Sequence, residues 1–166
     1  MSHKAVRTLI EDVARSLGDK VQFGYGRLSD FNAIKDKKYP YAWLDPLEIQ
    51  PAFTEDRYNY TKDFSISISF MTLEKDGEAA TEKDYPLNMD DMSDLADQFI
   101  NKLNASDTHA EDNTIALATQ KLTISGMRLL PYIKRFSDVV TGYTLTFNLN
   151  TPDTFDYCSI YGDDCD

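Results

Sequence analysis

The chain has 166 residues, 42% of them hydrophobic, and a formal net charge of −11. These values exclude a fully disordered chain and allow one domain with a complete core. An acidic chain repels nucleic acid, which disfavours a nucleic-acid-binding protein. No apolar run approaches the ~20 residues that span a bilayer, which disfavours a membrane-spanning protein. The charge is also uneven, because residues 72–113 carry 3 bases and 12 acids, whereas residues 114–150 carry 4 bases and 1 acid.

The N-terminal part of the chain predicts one clear helix. Between residues 3 and 17, apolar side chains recur at spacings of three and four residues. Two glycines weaken a strand assignment for the following segment, VQFGYGRLSDF, and we interpret GYG at residues 24–26 as a plain turn rather than a phosphate-binding loop. The segment SDFNAIKDKK predicts a short helical turn with Ser29 as its cap.

An aromatic segment flanked by prolines, YPYAWLDPLEI, predicts a short strand that is confined to an edge of a sheet or to the few residues between Pro40 and Pro46. Its aromatic side chains form either a ligand-binding patch or part of the core or of an interface. Aromatic residues beside prolines at the end of a strand favour packing, so packing is the role expected of Tyr39, Tyr41 and Trp43.

The longest predicted strand covers residues 57–73 and contains the alternating segment FSISISF. A strand turns successive side chains to opposite faces, so one face carries Phe64, Ile66, Ile68 and Phe70 and the other carries Ser65, Ser67 and Ser69. A solvent-facing surface in so charged a chain normally carries Lys, Glu or Thr. We therefore expect protein, rather than water, to cover the serine face in an assembled state.

A polar segment, a second helix and three more strands follow. Residues 73–86 are rich in acids and predict an exposed, extended loop or hairpin. Residues 89–103 predict an amphipathic helix with aspartates on its outer face. Strands are predicted over residues 115–124, 127–136 and 141–150.

This order of elements predicts an α+β fold. Strands and helices do not alternate strictly, so a mainly antiparallel sheet with the two principal helices packed on one face fits better than a doubly wound parallel sheet. The helices leave the Ser/Thr face of the isolated subunit open. Residues 1–152 are expected to form a single domain and residues 153–166 an acidic tail. The expected core contains Phe64, Ile66, Ile68, Phe70, Leu95, Phe99, Leu145 and Phe147.

A search for catalytic and metal-binding patterns favours a protein that is not an enzyme and needs no cofactor. The two histidines, His3 and His109, have no cysteine or histidine at ligand spacing, and no glycine-rich phosphate loop or nucleophile elbow is present. Cys158 and Cys165 form an incomplete zinc set and are expected to be ordinary reduced cysteines. The best metal candidate is an acidic cluster without the spacing of a calcium loop, for which a solvated helix face is the better interpretation. Its members are Asp84, Asp90, Asp91, Asp94 and Asp97.

The organisation of the chain resembles that of the tail terminator and tail-completion proteins of tailed bacteriophages. The resemblance covers roughly residues 4–152 and lies in the order of the elements. It rests on the N-terminal amphipathic helix and on the segments YPYAWLDP, KDFSISISFMTLEKDG, MDDMSDLADQFINKL and GYTLTFNLNTPDTFDYC. The family has no short catalytic motif from which functional residues can be carried over.

The resemblance implies a structural virion protein that assembles as a homo-oligomeric ring at the phage neck or tail end. It also implies contacts with other neck and tail proteins, DNA that passes through the lumen without specific binding, and assembly in the host cytoplasm. A ring requires two different patches of one subunit to meet. The serine face is one expected patch, and the basic and acidic stretches form an expected electrostatic pair. The expected interface residues are Ser65, Ser67, Ser69, Arg128, Lys134, Arg135, Asp76 and Glu78.

Two other functions remain open on the residues alone. The first is a monomeric acidic adaptor or inhibitor that binds a single host or viral protein. The second is a small hydrolase that uses the carboxylates of the chain.

Overall fold

A computed structural model describes residues 2–53, 60–73, 84–106, 123–135 and 139–153. Three helices and six strands lie in these ranges. In chain order they are α1 (His3–Arg15), β1 (Gln22–Tyr25), α2 (Leu28–Ala33), β2 (Tyr41–Leu44), β3 (Glu48–Phe53), β4 (Tyr60–Leu73), α3 (Asp84–Ser106), β5 (Thr123–Arg135) and β6 (Val139–Asp153).

All six strands belong to one mixed sheet. The order across the sheet is β1-β2-β4-β6-β5, and β3 pairs with the first half of β4. β1 and β2 are parallel, and every other pair is antiparallel. The predicted α+β fold with a mainly antiparallel sheet is therefore confirmed.

The two long helices pack on one face of this sheet. Val6, Ile10 and Val13 of α1 and Met92, Ala96 and Phe99 of α3 are buried in one cluster with the alternate, apolar side chains of β4 and β6. The predicted core is confirmed, because all of its members but one are buried in this cluster and Leu95 packs against it half-buried. The period-two and period-3.6 patterns thus place the helices and the sheet face as expected.

Some predicted boundaries are wrong. α3 begins at Asp84, so residues 84–86 belong to the helix rather than to the predicted loop 73–86. Pro86 lies in the first turn of α3, where a helix tolerates a residue without an N–H group. Leu73, at the other end of that predicted loop, belongs to β4, and residues 74–83 lie outside the described residues.

The predicted break between strands 115–124 and 127–136 is also wrong. A single strand, β5, runs through it, and the pairing with β6 shifts register between Ser125 and Arg128. A β-bulge accommodates the extra residues without ending the strand, which is why Gly126 does not act as a turn. Residues 115–122 lie outside the described residues.

The serine side of the sheet is not bare along its whole length, which corrects the prediction of an open Ser/Thr face. A second, smaller cluster packs there around Phe31 of α2, and it includes Tyr41, Trp43, Met71 and Val140. The Phe31 ring makes edge contacts with the rings of Tyr41 and Trp43, at 5.4 and 5.2 Å between centroids. The predicted packing role of the aromatic segment is therefore confirmed.

α2 confirms the predicted helical turn but not its cap. The helix begins at Leu28, and the carboxylate of Asp30 accepts a hydrogen bond of 2.8 Å from the backbone N–H of Arg27. Ser29 lies inside the helix, so the prediction that it caps the turn is wrong.

In the cluster around Phe31, burial raises the pKa of the Tyr41 phenol, and the positive charge of Arg15 acts in the opposite direction.

The GYG segment is not a plain turn, because Gly24 lies within β1 opposite Trp43. A Cβ atom at this position would lie 2.6 Å from Cε3 of the Trp43 ring. The indole N–H donates a hydrogen bond of 3.0 Å to the carbonyl oxygen of Gly26. The absence of a side chain at Gly24 thus leaves space for the Trp43 indole, which explains why a glycine occurs within this strand.

We expect Gly24→Ala to displace Trp43 and to destabilise the fold by about 1–3 kcal/mol, because the added methyl overpacks the cluster. Trp43 is the only tryptophan of the chain, so the emission of the intact protein reports on it alone. A shift of the emission to longer wavelength and a lower urea midpoint are the expected results. An unchanged spectrum and midpoint would contradict this account of the glycine.

Candidate functional site

An open groove of about 500 Å³ lies on the serine side of the sheet, beyond the cluster around Phe31. It is formed where β4, β6 and β5 run side by side, and the segment between β2 and β3 closes one of its ends. Its lining residues are Asp45, Pro46, Glu48, Ser65, Ile66, Ser67, Gly126, Arg128, Thr146, Phe147 and Asn148.

The register of the strands places the polar lining in two rows across the sheet. Glu48, Ser65 and Asn148 form one row. Ser67, Thr146 and Arg128 form the next, and Asp45 extends it, because its N–H donates a 2.9 Å hydrogen bond to the carbonyl oxygen of Ser67. If β4 paired one residue out of register, Ser65 and Ser67 would face the helices instead of the groove. The register of β4 therefore determines that these serines line the groove.

Hydrogen bonds between side chains hold the floor of the groove in place. Ser67 Oγ donates to Asp45 Oδ2 at 2.9 Å, and Ser65 Oγ donates to Asn148 Oδ1 at 3.1 Å. Both serines are half-buried. The floor is therefore small, polar and fixed, and each hydroxyl oxygen keeps lone pairs for a second partner.

The two ends of the groove carry opposite charges. Asp45 and Glu48 stand at the β2–β3 end, and Arg128 stands on β5 at the other. Three strand spacings separate Asp45 from Arg128, which amounts to about 14 Å between their backbones. Arg128 is exposed and makes no ion pair with any described residue.

The structure brings together three of the eight predicted interface residues. Ser65, Ser67 and Arg128 line the groove, although their positions in the sequence span more than sixty residues. Ser69 lies just outside it, where its hydroxyl shares a 2.9 Å hydrogen bond with that of Thr144.

Of the other four predicted residues, two lie farther along β5 and two lie outside the described residues. Lys134 and Arg135 belong to β5 opposite Val140 and Val139, farther along the strand. Asp76 and Glu78 lie outside the described residues.

Sequence reasoning missed both acids at one end of the groove, together with Thr146 and Asn148. The alternation in GYTLTFNLN already places Thr146 and Asn148 on a polar face, and only the pairing of β6 with β4 brings that face beside the serines. Asp45 and Glu48 lie on either side of Pro46 and Leu47 and carry no pattern of their own. Their place beside Ser67 and Ser65 depends on the sheet register.

The described lining of the groove offers hydroxyl, amide, carboxylate and guanidinium groups. None of the described residues that line it is a histidine, and the histidine within the described ranges, His3, lies on α1 with its ring 6.4 Å from that of Tyr25. In the same part of the chain no three His, Cys, Asp or Glu side chains are grouped so that they can hold a metal ion. Four aspartates of the acidic cluster are exposed on α3: Asp90, Asp91, Asp94 and Asp97.

No family model matches this chain, and no curated protein matches its sequence. None of the helices in the described ranges combines the length and the apolar composition that crossing a membrane requires.

Proposed function

We propose that this protein is a structural component of a tailed-bacteriophage virion and forms a homo-oligomeric ring at the neck or tail end. DNA passes through the lumen of the ring without specific binding, and the other neck and tail proteins are its further partners. The net charge of −11 supports this role, because an acidic wall repels the DNA backbone.

The observation that carries the proposal is the polar groove, because Ser65, Ser67 and Arg128 lie together in it. A floor of small hydroxyl and amide groups lets a second surface approach closely while every polar atom keeps a partner. Charged groups at both ends favour one orientation of the incoming surface over others. These are properties expected of one half of a head-to-tail contact.

Within the described residues, the edge strands of the sheet support assembly through its face. Pro51 lies inside β3 and Pro131 inside β5, and a proline has no N–H for a ladder with another strand. β5 also carries the bulge between Ser125 and Arg128, and β1 has only four residues. Prolines, bulges and short edge strands disfavour edge-to-edge pairing. The face therefore remains the better surface for a second copy.

The oligomeric state of the wild-type protein tests the proposal most directly. Native mass spectrometry and size exclusion with light scattering are expected to give one closed oligomer, and electron microscopy is expected to show rings with a central channel. Gel-shift titration with duplex DNA at physiological salt is expected to show no specific complex.

A strict monomer at all accessible concentrations would overturn the proposed ring. That result would favour a monomeric adaptor or inhibitor that uses the same groove for a single partner. Hydrolytic turnover that depends on an added metal ion would instead favour the small hydrolase.

A further inference from the structure

A basic loop follows α2 on the same side of the sheet as the groove. It comprises residues 35–38, with the sequence Lys-Asp-Lys-Lys, and it precedes the return of the chain into β2. α2 is anchored to that side of the sheet by Phe31, which is fully buried. The loop is thus carried on a fixed element, and Lys35, Asp36 and Lys38 are exposed.

The side chains of this loop are arranged for contact with another surface. Lys35 and Lys38 are exposed and make no ion pair with any described residue. Lys37 instead lies over the Phe31 ring, with Nζ 5.0 Å from the ring centroid. Asp36 has φ 55°, a left-handed conformation that turns the chain sharply between Lys35 and Lys37.

The loop and the groove of one chain are separate patches. Tyr41 begins β2 shortly after the loop, beyond Tyr39 and Pro40, and pairs with Met71, whereas the nearer row of the groove contains Ser67. Four residues along β4 separate these rows, or about 13 Å. Two different patches on one side of a subunit allow a head-to-tail contact between copies.

The charges of the two patches are complementary. Asp45 and Glu48 can face Lys35 and Lys38, and Arg128 can face Asp36. We infer that the groove of one copy receives the loop of residues 35–38 from a second copy. This inference rests on the proposed ring and names its contact.

Reciprocal charge reversal tests the contact. The loop variant combines Lys35→Glu with Lys38→Glu, and the groove variant combines Asp45→Asn with Glu48→Lys. The asparagine keeps an oxygen that can accept the hydrogen bond from Ser67. Each variant alone places like charges together, so each is expected to raise the concentration needed for assembly at least ~100-fold.

The mixture of the two variants is the decisive measurement. The acidic loop of the first variant fits the basic groove of the second, and the basic loop of the second fits the wild-type groove of the first. An equimolar mixture is therefore expected to form alternating assemblies that contain both chains, as read by native mass spectrometry. A variant that changes Lys4 and Lys20 to Glu has the same net charge as the loop variant and is expected to assemble like wild type.

The outcomes separate the contact from the ring. When wild type is oligomeric, two results would show that the loop does not fill the groove. The first is that either variant assembles as well as wild type does. The second is that the mixture stays monomeric although both variants keep wild-type circular dichroism and Trp43 emission. The proposed ring survives both results. A monomeric wild-type protein overturns the ring and the contact together.

Discussion

Replacing Gly142 with alanine is expected to cost about 4 kcal/mol or more, enough to unfold a marginally stable domain. Gly142 is buried in β6 opposite Met71, and its φ is 157°. A Cβ atom there would overlap the backbone carbonyl oxygen of Phe70 in β4. Because that neighbour is backbone, the overlap is relieved only by moving β4 and β6, the two central strands, apart.

Gly18→Ala is the matched control for this substitution. Gly18 has a similar φ of 148°, but a Cβ atom there meets no atom within 4 Å. It therefore carries the backbone strain without the overlap, and about 1–2 kcal/mol is expected. Urea unfolding followed by Trp43 emission measures both variants. Equal losses would show that the close approach of β4 and β6 at Gly142 has no consequence.

The parts of the fold that the sequence predicts are those with a repeated apolar period. Phe64 to Phe70 and Leu145 to Leu149 alternate strictly, and α1 and α3 keep their apolar side chains on one stripe. These patterns determine which face of the sheet packs against the apolar stripe of each helix, so the sheet, the two long helices and the core follow from them. The bulge in β5 has no such signal, because Gly126 is equally compatible with a turn between two strands.

The covering of the serine face could not be predicted because α2 has a single anchor. Phe31 is the only one of its six residues that is buried, and so short a helix has no period to read. A sequence signal for a covered serine face was nevertheless present in β2, where Tyr41, Ala42, Trp43 and Leu44 are all buried. A continuous apolar run indicates a strand covered on both faces, and here the second cover is α2.

The candidate site was only partly predictable for a different reason. The serine alternation identifies one strip of the surface, but a groove needs neighbours on both sides. Thr146 and Arg128 reach Ser67 only through the pairing of β6 with β4 and of β5 with β6, beyond the bulge. Such long-range register is set by the whole sheet, so the charges at the two ends of the groove could not be assigned from local patterns.

Replacing Ser67 with lysine is expected to abolish assembly while the subunit still folds. Ser67 is half-buried at the centre of the groove floor, with its hydroxyl bonded to Asp45. In a free subunit a lysine side chain can extend into the open groove and pair with Asp45, so circular dichroism and Trp43 emission should match wild type. In the assembled state the lysine side chain occupies the space of the incoming loop. Burying the lysine charge without a full set of partners costs several kcal/mol.

Two further variants show that the position and the bulk matter, rather than the added charge or the lost hydroxyl. Asn101→Lys adds the same charge on the exposed side of α3 and is expected to assemble normally. Ser67→Ala removes only the hydrogen bond to Asp45 and is expected to weaken assembly by no more than about tenfold, because one neutral bond contributes roughly 1 kcal/mol. Size exclusion with light scattering, at matched concentrations, measures all three. If Ser67→Lys assembles as well as Asn101→Lys, the serine face meets water in the oligomer, and a ring would have to form through another surface.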